Sequence, residues 1–163
     1  MSDPGEGVEP RAARVAEAIA NQDAFFARSF PGMLGVRIID AGPGRCVATL
    51  DVSSSVLHPG GYAHGGALAG FGDTAAAWAT FPGLADDEIF TTIEFKANFI
   101  SAVSAGRLRA EATSVHRGRR TMVLDVRITT DDDVAKPVAM MIVTQAILRR
   151  PAGQTADEAP PED

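Results

Sequence analysis

Residues 58–74 read HPGGYAHGGALAGFGDT, and Asp73 closes this stretch inside a run of Ala, Gly and Phe. Burying a lone charge is costly, and aspartate is a poor residue for a helix interior. A carboxylate kept among Ala69, Gly70, Phe71, Gly72, Ala75, Ala76 and Ala77 is therefore a candidate reactive group. It could attack as a nucleophile or act as general base on water. Nine residues earlier stands His64, followed by Gly65 and Gly66. The first N–H groups of a helix have no partner within it and sit at the positive end of its dipole. Glycine lets a ligand approach such backbone closely. Gly65 and Gly66 can thus form an oxyanion site, in which the Gly65 N–H polarises a carbonyl. HGG by itself is equally a tight turn before a helix. His64 could cap that helix, orient the glycine turn or touch the substrate.

The spacing carries a consequence. Nine residues of helix span about 13–14 Å, whereas a catalytic carboxylate must come within about 3–3.5 Å of the reacting atom. Asp73 cannot reach a carbonyl held at Gly65 of its own helix. Two copies with antiparallel central helices would bring Asp73 of one beside Gly65 of the other. The expectation is a homodimer with two composite sites.

The positioning elements are legible as periodicities. PRAARVAEAIANQDAFFARS at 10–29 is expected to be one helix, with Val15, Ile19 and Phe26 on one face. GVRIID at 35–40 reads as a strand ending in the turn AGPG. Cys46, Ala48, Leu50 and Val52 alternate with Arg45, Thr49 and Asp51 in the next strand. HGGALAGFGDTAAAWATF has almost no polar surface and should be a helix buried nearly all round. Phe71, Trp78 and Phe81 are read as core. Four strands follow, at 89–99, 106–116, 120–130 and 138–148. In the first, Thr92, Glu94, Lys96 and Asn98 are expected on one polar face, where the Thr92 hydroxyl could hold a water. VAMMIVTQAIL at 138–148 is apolar on both sides, as in a central strand or one at a subunit interface. One apolar helix followed by a long antiparallel sheet makes an α+β domain over 10–150. Residues 1–9 and 151–163 are expected to be mobile tails, the latter acidic.

Composition narrows the partners. The formal charge is −6, but seven of the 21 acidic residues lie in the two tails, leaving 15 basic and 14 acidic residues between them. No basic stripe with interleaved aromatics points to nucleic acid. No apolar run approaches the length of a membrane span, and the first residues lack a leader-like apolar segment. A single cysteine, Cys46, excludes a disulfide framework. A cytoplasmic protein with no cofactor and no metal is expected. The one local basic cluster is HRGRRT at 116–121, where guanidinium forks could meet phosphates.

The element order, with HGG opening the helix and Asp nine residues on, resembles the hot-dog fold thioesterases, above all PaaI-like acyl-CoA thioesterases. The resemblance covers roughly residues 30–149 and rests on GGYAHGGALAGFGDTAAAWA, TTIEFKANFISAVSAG and HRGRRT. It implies an antiparallel sheet wrapped around the central helix, here with an extra N-terminal helix. It implies hydrolysis of an acyl-CoA or aryl-CoA thioester, with coenzyme A as leaving group. By the same resemblance Asp73 matches the family's acidic residue, His64 and Gly65 its His-Gly pair, and Thr92 a Ser/Thr position that holds the water. Gly66 and the turn His116, Arg117, Gly118, Arg119, Arg120 and Thr121 would border the coenzyme A. The family usually has Asn or Gln six residues before its histidine, and this chain has His58. A neutral imidazole can donate one hydrogen bond and accept another, replacing an amide in part. A dimer of dimers is implied as well. Two other readings are a hot-dog protein that binds acyl-CoA without turning it over, and a hot-dog dehydratase.

Overall fold

A computed structural model describes residues 11–150. The expected tails, 1–9 and 151–163, lie outside the described residues. The N-terminal region is three short helices rather than one: α1 (Arg11–Ala20), α2 (Gln22–Phe26) and α3 (Phe30–Leu34). The break falls at Asn21, which leaves helical geometry at φ −108°, ψ 26°. Its cause lies in the next residue. The Gln22 side chain is buried, donates to the Ile19 and Ile38 carbonyls, and accepts from the Ile38 N–H at 2.8 Å. That pair of hydrogen bonds with Ile38 ties α2 to the first strand and turns it away from α1. Val15 and Phe26 still enter the core, as their spacing suggested.

Six strands follow the order β1-β2-β4-β5-β6-β3, all antiparallel: β1 (Val36–Gly42), β2 (Arg45–Asp51), β3 (Glu88–Phe99), β4 (Arg107–Arg117), β5 (Thr121–Thr130) and β6 (Pro137–Arg149). The long helix α4 (Gly65–Thr80) lies across this sheet and touches every strand. This is the hot-dog arrangement. Alternation sets the core: Cys46, Ala48 and Leu50 on β2, Leu108, Ala110 and Ala112 on β4, and Met122, Leu124, Val126 and Ile128 on β5 all face α4. Phe71 is completely buried against them, which stabilises the fold by a few kcal/mol. Thr49, expected outside, is buried as well.

One expectation holds with an exception and another changes. The helix is buried over most of its circumference, by the sheet and by the N-terminal helices, with Phe30 and Leu34 of α3 packed against Gly70. Gly66, Ala69, Asp73 and Ala77 form a narrow stripe of small residues plus one carboxylate that stays partly open. And β3 does not alternate evenly. A bulge between Thr92 and Glu94 shifts its register on β6, so Thr92 pairs with Gln145 while Phe95 pairs with Val143. A bulge places two residues opposite one and flips the faces beyond it. Thr92 therefore shares the α4 side with Phe95, Ala97 and Phe99, and is not on the face of Glu94, Lys96 and Asn98.

Candidate active site

The loop before α4 is built around its histidine. The chain reverses at 58–61, where the Gly61 N–H donates to the His58 carbonyl and Gly61 has φ +84°, a conformation natural to glycine. The His58 N–H donates to the Tyr62 carbonyl, and the His58 Nδ1 accepts from the Gly60 N–H, each at 2.9 Å. With Nδ1 an acceptor, the neutral ring carries its proton on Nε2. His58 then lines an open cleft of about 300 Å³ together with Tyr62, Gly65, Leu68, Phe99 and Ile100. His58 and the first residue of α4 thus line one cavity.

His64 is the N-cap of α4. Its backbone is extended (φ −70°, ψ 136°), and its Nδ1 accepts from the Gly66 N–H at 2.9 Å. The Gly66 amide, read from sequence as facing the substrate, is therefore engaged by His64. Among the described residues none accepts a hydrogen bond from the Gly65 N–H. The Phe99 ring packs over Gly65 so closely that an added Cβ would lie 3.1 Å from it. The helix dipole, an unpaired amide and the absence of a side chain coincide at that residue.

Asp73 lies eight residues further along the same unbroken helix, about 12 Å along its axis. Its Oδ1 accepts from the Thr92 hydroxyl at 2.8 Å, and Thr92 Oγ1 accepts from Gln145 Nε2 at 3.2 Å. Thr92 was expected to hold a water from the polar face. The bulge instead turns it onto Asp73. Gln145 was not singled out from sequence, although a lone amide in VAMMIVTQAIL was the available signal. Asp73 and Gly65 are not brought together within the chain.

The turn His116–Thr121 joins β4 to β5, closed by the Gly118 N–H donating to the Thr121 carbonyl at 2.8 Å. Arg117 is committed to Glu88 at 3.2 Å and to the Gly83 carbonyl at 3.4 Å. Arg119 and Arg120 have no carboxylate partner within salt-bridge distance among the described residues, and they line a cleft of about 400 Å³ with Glu88, Ile147, Leu148 and Arg149. Arg149 is paired with Asp87. The Arg120 carbonyl accepts from the Ile147 N–H, and Ile147 is two residues beyond Gln145 on β6. His116 is exposed. Among the described residues no group of three or more His, Cys, Asp or Glu side chains suited to a metal occurs, and no helix there is long and apolar enough to cross a membrane.

Comparison with known proteins adds an independent line. The profile described as Thioesterase superfamily matches residues 60–136. The 1,4-dihydroxy-2-naphthoyl-CoA hydrolase of Listeria monocytogenes is 30% identical over 117 residues, which is 72% of this chain and 94% of that protein. The structure of a mutant of thioesterase PA1618 from Pseudomonas aeruginosa superposes with a TM-score of 0.74 at 26% identity, over 80% of this chain and 94% of that one. A hypothetical thioesterase protein of Streptococcus pneumoniae, solved with coenzyme A, superposes with a TM-score of 0.64 at 26% identity, over 71% and 87% of the two chains.

Proposed function

This chain belongs to the thioesterase superfamily and is a thioester hydrolase, and from that premise we propose that it cleaves an acyl-CoA or aryl-CoA thioester at a site shared by two copies. The observation that carries the reading is the Asp73 carboxylate, held by Thr92 on the open stripe of α4. Hydrolysis is assisted by a donor at the carbonyl oxygen and a base that delivers water to the carbonyl carbon, both in reach of one carbonyl. The Gly65 N–H supplies the first and Asp73 the second, but their separation along one helix requires a partner subunit. The small-residue stripe of α4 suits close packing of a second α4, and β3 offers a free edge with Ile93, Phe95 and Phe99 exposed. Closure by a two-fold axis brings Gly65 of each copy to Asp73 of the other. A dimer of dimers is compatible with that closure.

In the reaction, water attacks the thioester carbonyl carbon while Asp73 Oδ2 takes one of its protons. The carbonyl oxygen gathers negative charge at the Gly65 N–H, a donor of a kind worth about 3–4 kcal/mol of barrier. The C–S bond then breaks, releasing the free acid and coenzyme A, whose thiolate recovers the proton. Thr92 favours Asp73 as base over Asp73 as nucleophile. Its proton is committed to Oδ1, so its remaining lone pair can accept the second hydrogen of the water. The water is then held through both hydrogens with its own lone pair free. His58 steadies the acyl group or the thioester from the cleft beside Gly65, and His64 keeps the helix start in place. Arg119 and Arg120 take the nucleotide phosphates, bordered by His116, Gly118 and Thr121. Arg117 shapes the turn through Glu88. The similarity to a naphthoyl-CoA hydrolase supports aromatic acyl groups among the substrates. No cofactor or metal enters this scheme.

The test is a panel of aliphatic and aromatic acyl-CoA thioesters, with released thiol as readout, on the wild type and on Asp73→Ala. Turnover by the wild type and loss of at least about 100-fold in the variant is expected. Equal rates would remove Asp73 from the mechanism. Tight binding of acyl-CoA with no turnover would favour a non-catalytic binder, and hydration or dehydration of an enoyl or hydroxyacyl thioester would favour a dehydratase.

A further inference from the structure

Gln145 lies on β6 directly opposite Thr92 and is completely buried. Its neighbours on the same face of the strand are Met141, Val143 and Ile147. An apolar residue would fit there. The amide instead donates from Nε2 to Thr92, while its Oε1 has no hydrogen-bond partner among the described residues. Leaving a buried acceptor unpaired is destabilising, and so the polar side chain is kept at a cost in stability. What it achieves is direction. A hydroxyl has one proton. With the Gln145 N–H filling a lone pair of Thr92 Oγ1, and an ionised Asp73 able only to accept, the Thr92 proton must lie on Asp73 Oδ1.

We propose that Gln145 is a positioning residue that acts through Thr92, fixing the proton order Gln145 to Thr92 to Asp73 and thereby leaving Oδ2 as the reacting oxygen. This rests on Asp73 being the reacting carboxylate, as argued above. Without the amide, the Thr92 hydroxyl is free to rotate, and the carboxylate loses the bond that sets its plane. Misplacement of a reacting group by a fraction of an ångström to an ångström costs up to about 100-fold in rate.

The experiment is a double-mutant cycle. Gln145→Met fills the same volume without a donor. It should lower kcat by about 10- to 100-fold with KM changed less than about threefold, and the melting temperature should hold or rise because a half-satisfied amide is removed. Thr92→Val should cost at least as much, and Thr92→Ser should restore most of the activity. In the Thr92→Val background, Gln145→Met should cost nothing further, since Gln145 acts only through the hydroxyl. An undiminished kcat in Gln145→Met overturns the proposal, as does the same fold-loss in both backgrounds, which marks packing instead. Failure of the thioesterase reading looks different: there Asp73→Ala itself keeps full turnover, or no thioester is cleaved. A readout that does not need turnover is the Thr92 hydroxyl proton in NMR spectra. It should be protected from exchange in the wild type and lost in Gln145→Met. Its persistence in the variant overturns the proposal as well.

Discussion

Asp73 is the only ionisable side chain on α4, and it is held by a hydroxyl rather than by a cation. Asp73→Asn keeps the shape and the bond from Thr92 but removes the proposed base. We expect kcat to fall by about 10²- to 10⁴-fold with acyl-CoA binding retained, measured by steady-state kinetics and by calorimetry. Cys46 is the opposite case. Burial, with Asp40 nearby, pushes its thiol up to about 12. A thiol so far from ionisation is a poor nucleophile. Native protein should show no reaction of this thiol with an aromatic disulfide reagent, and denatured protein should show one equivalent. Reaction in the native state would contradict the packing of β2. Much at this scale was legible beforehand. A carboxylate isolated among Ala and Gly announces itself, as does a His-Gly-Gly helix start. Thr92 was assigned to the wrong face because alternation cannot reveal a bulge, a feature of pairing between strands. Gln145 reads as an ordinary polar residue until its partner across the ladder is known.

At the scale of elements, α4 is held by the residues that face the sheet. Phe71→Ala should destabilise the protein by about 3–5 kcal/mol in denaturant titration, since the cavity lies where the sheet closes over the helix. A loss below about 1 kcal/mol would mean that the helix is not anchored there. Among the described residues Arg117 of the β4–β5 turn is ion-paired and Arg119 and Arg120 are not. Arg119→Ala with Arg120→Ala should raise KM for an acyl-CoA about 10-fold, equivalent to about 1.4 kcal/mol, and leave that for the matching acyl-pantetheine thioester unchanged. Equal effects on both would exclude phosphate contact. The basic cluster was visible in the sequence. That Arg117 is committed to Glu88 was not, because the two are 29 positions apart. Likewise, the strands followed from alternation, while the N-terminal helix broke at Asn21 through a tertiary bond from Gln22 to Ile38 that no local periodicity records.

The whole molecule, at 17.0 kDa, buries most of α4 and leaves a narrow stripe of small residues around Asp73 partly open. The gap between Gly65 and Asp73 is a property of one unbroken helix. In the reading we propose, the catalytic site is completed by sharing between two such molecules. The direct measurement of that sharing mixes two inactive proteins, Asp73→Ala and Gly65→Pro, after unfolding and refolding together. Proline suits the first position of a helix and removes the N–H in question. His64 already has the extended backbone that a residue before proline prefers, and the half-exposed Phe99 ring has room to shift. Each heterodimer would carry one site with both defects and one with neither. The mixture should regain about a quarter of wild-type activity, and purified heterodimer about a half. No recovery, with heterodimer verified by differential tagging, would contradict a site shared between subunits.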